Sequence, residues 1–269
     1  MVKLIIKTLV RTLNKAYYIH SDFFNFYSYC QKQNNKISIN QACIKMLNEI
    51  KEISDNKIIV PTFNYDFSQN KTYNYQKNPS QVGFFSEYFR KMNLNNRTLV
   101  PMFSDCSNFK IKKYLDNNYL IFGKKSLYSD LADNNCKIVF FGSNFAPSYI
   151  MYLENFLHGC PIYRYPKKFS GKIYYGKKKI KINIIYNCRP LKIPIVYDLK
   201  KIEKDILEKK ILKNKKSKIG YNYKVMDVKK FKDFCINKIK KDEYYFLKNS
   251  SKLKIQKFLK KNNDCRNII

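Results

Sequence analysis

Lys137-Ile138-Val139-Phe140-Phe141-Gly142-Ser143-Asn144-Phe145-Ala146-Pro147-Ser148-Tyr149-Ile150-Met151-Tyr152-Leu153-Glu154 is the stretch on which the reading of this chain turns. A short apolar run ends at Gly142, a polar loop containing a proline follows, and a helical pattern begins at Ser148. Together these read strand, loop, helix. Such a junction gathers hydroxyls and the free N–H groups of a helix's first turn where a ligand can meet them. Met151, Glu154 and His158 fall at i, i+3 and i+7, so they share one helix face. An apolar helix packed on a sheet is the competing reading, since Tyr149, Tyr152, Leu153 and Phe156 occupy the same run.

Working outward toward the N-terminus, Arg97 to Phe103 is extended and Ser126 to Ala132 is a short helix. Asn78-Pro79-Ser80 opens a helix whose buried stripe is Val82, Phe85 and Phe89. The polar, Tyr-rich segment from Asn64 to Asn78 has no period and reads as a long loop. Lys57 to Val60 is a strand that runs out into Pro61-Thr62-Phe63-Asn64-Tyr65. Ser38 and Gln41 form a capping box before a helix over 39–52, and Ala16 to Ile19 is a strand that exits into His20-Ser21-Asp22.

On the C-terminal side, Gly159 stops the helix and Cys160 to Tyr165 is extended. Gly171 to Tyr186 alternates like a β-ribbon, and Asp198 and Asp227 each cap a helix. The Lys-rich end is a surface helix with a frayed terminus. The pattern is a layered α/β fold in one domain over 1–269, with a core at about 1–160 and an appended β-ribbon and helical section at about 161–269. In such folds ligands collect at strand ends. Three exits are conspicuously polar: His20-Ser21, Thr62 to Tyr65, and Ser143 to Ser148.

Composition narrows the classes. Hydrophobic residues at 45% and aromatics at 16% are enough to bury a core despite the charge, which excludes a disordered chain. The net charge of +33 comes mostly from Lys dispersed through the whole length, without the Arg-rich stripe of a nucleic-acid footprint. It would still draw anionic ligands. The eight cysteines form no C-x-x-C pair and there are only two histidines, so neither a zinc site nor any other metal site is expected. Cys43 and Cys235 sit inside apolar patterns and read as small core residues of a reducing compartment. No apolar run is long enough to span a bilayer, and Met1 to Val10 lacks a small-residue cleavage site. The expected location is cytoplasmic, and the oligomeric state is open.

With its exits placed, the chain resembles the antibiotic N-acetyltransferase family, typified by the aminoglycoside 3-N-acetyltransferases. The matching residues are His20-Ser21, Pro61-Thr62-Phe63-Asn64-Tyr65, and Pro79-Ser80 with Gly83, Glu87, Phe89 and Arg90. Arg97 with Pro101, Phe122-Gly123 with Ser126, Pro161 with Tyr163-Arg164-Tyr165, and Ile219-Gly220 with Asp242 continue the match in order through nearly the whole chain. The resemblance implies a three-layer α/β/α sandwich with a mixed central sheet. It implies acetyl-CoA as co-substrate and a primary amine of an amino sugar or aminoglycoside-like molecule as acceptor.

The family pattern Thr-x-x-His-x-x-Glu on the organising helix is matched by Ser148, Met151 and Glu154. Methionine replaces the histidine, and a thioether cannot take a proton. A non-catalytic member that binds CoA or a glycan is therefore the alternative to an enzyme. The catalytic candidates are His20, Ser148, Glu154 and His158; the cofactor-binding candidates are His20, Ser21, Thr62, Tyr65 and Ser80. Glu154 could orient His158 as a displaced base, or His158 could only complement its helix C-terminus. Likewise Thr62 and Tyr65 either shape a pocket or turn the chain, and Ser148 either lines the site or caps its helix.

Overall fold

The protein was analysed as a computed structural model, which describes residues 13–33, 36–114 and 116–261. The Met1 to Val10 stretch, Cys265 and the frayed terminus lie outside the described residues. Strand β1 (Tyr17–Ser21) is central. It pairs in parallel with β2 (Ile58–Pro61) and β6 (Lys137–Phe141). Beyond β2 lies antiparallel β4 (Asp105–Ser107), and beyond β6 lie antiparallel β10 (Asn222–Asp227) and β9 (Leu212–Lys216). The six-stranded sheet is thus mixed, in the order β4-β2-β1-β6-β10-β9.

Period-two alternation with both faces apolar makes the three layers. Ile19, Ile58, Val60, Val139 and Phe141 point to one side, where they meet helices α1 (Phe23–Lys32), α2 (Ile39–Ile53) and α4 (Phe84–Met92) through Phe26, Met46 and Phe89. Their neighbours Tyr18, Ile59, Ile138 and Phe140 point to the other side. There they meet α5 (Leu127–Asp133), α6 (Tyr149–His158), α7 (Leu199–Glu208) and α8 (Val228–Lys241) through Leu131, Leu153, Ile206 and Phe231. A second mixed sheet, β3 (Thr72–Asn74), β7 (Tyr165–Tyr175), β8 (Lys178–Cys188) and β5 (Tyr119–Leu120), contributes Tyr73, Ile173 and Ile184 to the same core. A last helix, α9 (Asn249–Leu259), packs through Ile255 on a small cluster around Tyr163.

Local chemistry accounts for most boundaries. The Ser38–Gln41 capping box is formed in both directions, and Asp198 and Asp227 each accept an N–H three residues on. Gly142 ends β6 at φ 70°, and a Cβ there would lie 2.0 Å from the Tyr221 hydroxyl, so the tight exit from β6 requires glycine.

The structure departs from the sequence reading at five places. Pro161 to Arg164 is a turn closed by the Arg164 N–H on the Pro161 carbonyl, not an extended run. The segment Asn64 to Asn78 is not a structureless loop, because it holds the short helix α3 (Phe67–Asn70) and strand β3, which pairs with β7. Pro79-Ser80 does not open a helix; α4 starts at Phe84 behind Gly83, and Glu87 instead accepts from the Ser80 N–H. The section after residue 160 is not merely appended, since β9 and β10 complete the main sheet beside β6. Strand β9 is obscured in the sequence by lysines: only its Leu212 is buried, as suits a charged edge strand. Ser148 adopts helical dihedrals and makes no capping hydrogen bond, so its hydroxyl is not used as an N-cap.

Candidate functional site

Because β1, β2 and β6 are parallel, their C-terminal ends open on one edge of the sheet. A cleft of about 400 Å³ lies there. His20 and Ser21 come from the end of β1, Pro61, Phe63 and Tyr65 from the exit of β2, and Ser143, Asn144 and Pro147 from the loop after β6. Ser148 and Met151 come from the start of α6, Arg189 and Tyr197 from the segment between β8 and α7, and Leu199 from the first residue of α7. Of the residues anticipated from sequence, the fold brings His20, Ser21, Tyr65 and Ser148 together in this cleft.

Two buried polar atoms here are unsatisfied. His20 stacks on Phe140 at 5.4 Å between ring centroids, and its Nε2 is enclosed with no hydrogen-bond partner. Burial pushes its imidazole down to about 4, so the ring is neutral near pH 7. The Ser148 hydroxyl is likewise buried without a partner. Buried polar atoms are nearly always paired, so two orphans lining one cleft mark a place where a ligand hydrogen or a bound water completes the bonding.

Behind His20 runs a buried string of hydroxyls. The Tyr18 ring packs edge-on against the imidazole at 5.3 Å. Its hydroxyl donates to Asp105 Oδ1 at 2.7 Å and shares a 2.9 Å hydrogen bond with the Tyr128 hydroxyl, which in turn faces Ser148 without the geometry of a hydrogen bond. Burial pushes the Asp105 carboxyl up to about 8, only partly offset by the hydrogen bond from Tyr18 and by Arg97. This string was invisible in the sequence, where Asp105 is one acidic residue in a segment without motif.

The remaining anticipated residues lie elsewhere. Thr62 is fully buried and faces away from the cleft: its hydroxyl donates to the Ser104 carbonyl and accepts from Arg97 Nε. Arg97, itself fully buried, also donates to the carbonyls of Tyr75 and Asn78, so it ties the β2 exit to the 75–78 turn. Ser80 borders no part of the cleft wall and is held by Glu87 through its backbone.

Glu154 is not placed for base chemistry. Its Oε1 accepts from the Tyr163 hydroxyl at 2.9 Å, and its Oε2 accepts from Arg164 Nε at 3.0 Å and the Tyr197 hydroxyl at 2.8 Å. Both side chains of the Glu154–Arg164 pair are almost wholly buried. Burial lowers the affinity of the guanidinium for its proton, but the adjacent carboxylate outweighs it and holds Arg164 firmly charged. His158 is exposed at the C-terminal end of α6, and the carboxylate that would orient it is already committed to these three partners. A Glu154–His158 dyad is therefore not formed. Met151 lines the cleft, and its sulfur accepts from the Tyr186 hydroxyl at 3.7 Å. Sequence reasoning missed Arg189 and Tyr197, which reach the cleft from a segment without motif or period.

No family model matches the chain, and no curated protein sequence matches it. Solved structures do. A mutant of aminoglycoside acetyltransferase AAC(3)-IVa in complex with a gentamicin superposes with a TM-score of 0.62 at 13% identity, over 90% of this chain and 89% of that one. The chain has the fold of the aminoglycoside 3-N-acetyltransferases. AAC-IIIb, solved as a binary complex with CoASH, gives a TM-score of 0.63 at 12% identity, over 87% of this chain and 96% of that one. The YokD protein from Bacillus subtilis gives 0.60 at 14% identity, over 87% and 94% of the two chains. At these identities the likeness is one of fold.

Proposed function

We propose that this chain is an acyl-CoA-dependent N-acetyltransferase, that its acceptor is a primary amine of an amino sugar or aminoglycoside-like molecule, and that transfer takes place in the cleft at the ends of β1, β2 and β6. One observation carries the reading: His20 Nε2 and Ser148 Oγ, both enclosed and unpartnered, line the same cleft. The fold shared with a CoASH-bound neighbour supports it.

The residues present fit the co-substrate. The cleft is largely apolar along Pro61, Phe63, Val82 and Leu199, with hydroxyls at Ser21 and Ser148, while the Ser143 hydroxyl donates to the His20 carbonyl. When bound, acetyl-CoA would supply an acyl carbonyl activated by its thioester. Ser148 has a hydroxyl hydrogen with no acceptor in bonding geometry, suited to holding negative charge as it develops on an oxygen. His20 has a neutral imidazole with one lone-pair nitrogen, the only such group among the described residues of the cleft wall. Since burial also makes that ring a weak base, proton removal from the amine is slow. Ser21 and Tyr65 shape the co-substrate side of the cleft, while Thr62 and Ser80 act one layer behind it. We further take the whole chain to be one domain working in the cytoplasm.

A second reading, binding of CoA or a glycan without transfer, is favoured by one residue. Met151 lines the cleft, and by the sequence resemblance it takes the position of the family's histidine. The two readings separate in a paired experiment: calorimetry with CoA, and thiol release from acetyl-CoA over a panel of amino sugars and aminoglycosides. Saturable CoA binding with slow amine-dependent thiol release is expected. Binding without release from any amine would hand the site to the second reading, and no heat with millimolar CoA at moderate salt would defeat both.

A further inference from the structure

The charge on the cleft wall carries information about the acceptor that the fold does not. Among the described residues that line the cleft there is one full cation, Arg189, and no carboxylate. The carboxylates adjacent in sequence to its lining residues are already engaged. Asp22 accepts from the backbone and side chain of Asn25, and Asp66 from Asn64 and Gln81. Glu87 is paired with Arg90, and Asp198 caps α7.

Arg189, in contrast, is exposed and makes no hydrogen bond or ion pair among the described residues. It is nevertheless positioned: its guanidinium lies 4.8 Å over the Tyr197 ring. That ring is anchored at its far end, where the Tyr197 hydroxyl donates to Glu154 at 2.8 Å and accepts from Arg164 at 2.6 Å. The result is a planar fork of N–H donors on a fixed aromatic platform, the geometry suited to a phosphate or carboxylate.

We propose that the amine taken by this cleft carries an anionic group, a phosphate or carboxylate, and that Arg189 reads it. The inference rests on the acyl-transfer reading of the cleft and narrows it. A polycationic aminoglycoside would find a cation and no counter-charge on this wall, on a chain of net charge +33. An amino sugar bearing phosphate meets the opposite situation. The same fork could serve a phosphate of CoA, so the test separates the two sources.

Calorimetry at about 0.15 M salt, where long-range attraction to the basic surface is screened, would compare glucosamine, glucosamine 6-phosphate, inorganic phosphate and apramycin as titrants, with and without CoA. The expected order is glucosamine 6-phosphate about tenfold or more tighter than glucosamine or phosphate alone, with apramycin weakest. Arg189→Gln, at an exposed position, should erase the advantage of the phosphorylated sugar and change CoA affinity less than about twofold. Tighter binding of apramycin than of glucosamine 6-phosphate overturns the proposal, as does the absence of binding by every amine. So does a variant that loses CoA affinity but keeps the sugar-phosphate preference, since the fork then belongs to the co-substrate. If the preference holds while CoA gives no heat, the anionic specificity stands and the acyl-transfer reading falls.

Discussion

Helix α6 carries two regions of opposite character about two turns apart. At its N-terminal end Ser148 and Met151 face a cleft where a buried hydroxyl and an imidazole nitrogen have no partner. At its other end Glu154 is bonded by Tyr163, Arg164 and Tyr197, while Asn187 bridges Asn155 and the Gly159 carbonyl. A polar network whose charged groups are all paired, here with only the Asn187 amide oxygen left over, holds elements together; the open pair at the cleft is held in reserve for something that binds. The contrast locates stability and function on one helix without reference to any motif.

The comparison is broken most directly at Glu154. Glu154→Ala strands the buried Arg164 guanidinium and should cost about 3–5 kcal/mol in urea unfolding, the usual penalty for removing one partner of a buried pair. A loss below about 1 kcal/mol would mean that this end of the helix is not the structural one.

The cleft end is sharpened by Met151→His. Placing an imidazole there should raise amine-dependent thiol release about 10²-fold, equivalent to about 2.7 kcal/mol off the barrier. A variant that still binds CoA yet gains nothing would show that proton removal is not what limits the cleft.

The buried string behind His20 predicts a pH dependence. Asp105 is raised from 3.8 to about 8, so between those values the folded state holds a proton that the unfolded state has released, and stability falls as pH rises. His20 is lowered from 6.5 to about 4, so between those values the unfolded state holds the extra proton and stability rises with pH. The two slopes oppose each other below pH 6.5, leaving the Asp105 slope uncovered from 6.5 to about 8. Wild type should lose about 2 kcal/mol across that window, and Asp105→Asn should flatten the curve. An unchanged slope in the variant would assign the dependence to another group.

The smallest expected effect is on Ser148. Its hydroxyl has no partner to lose, so Ser148→Ala should leave unfolding within about 0.5 kcal/mol of wild type while lowering thiol release. A destabilisation approaching that of Glu154→Ala would erase the distinction between the two ends of the helix.

Much of the frame was legible in the sequence because it depends on neighbours a few residues apart. The Ser38–Gln41 box, the Asp198 and Asp227 caps, the apolar run of β6 and the convergence of three polar strand exits all follow from local pattern and chain direction. Where a helix-start signal competed with a glycine, as at Pro79-Ser80 against Gly83, tertiary bonding of the Ser80 N–H to Glu87 moved the boundary. Strands β9 and β10 escaped notice because β9 is a lysine-rich edge with one buried residue and β10 takes its place from pairing with β6.

The sequence by itself thus determined the layers, the caps and the small set of polar residues from which a site could be built. Only the tertiary structure decided which of them are committed elsewhere. Glu154 finds Arg164 ten positions on and Tyr197 forty-three positions on, while Thr62 is claimed by Arg97 thirty-five positions away. Ser148 and His20 find nothing, and Arg189 arrives at the cleft from the far side of β8. Hydrogen-bond satisfaction and charge pairing act over a few ångströms in space, and which groups come that close is set by packing rather than by order along the chain.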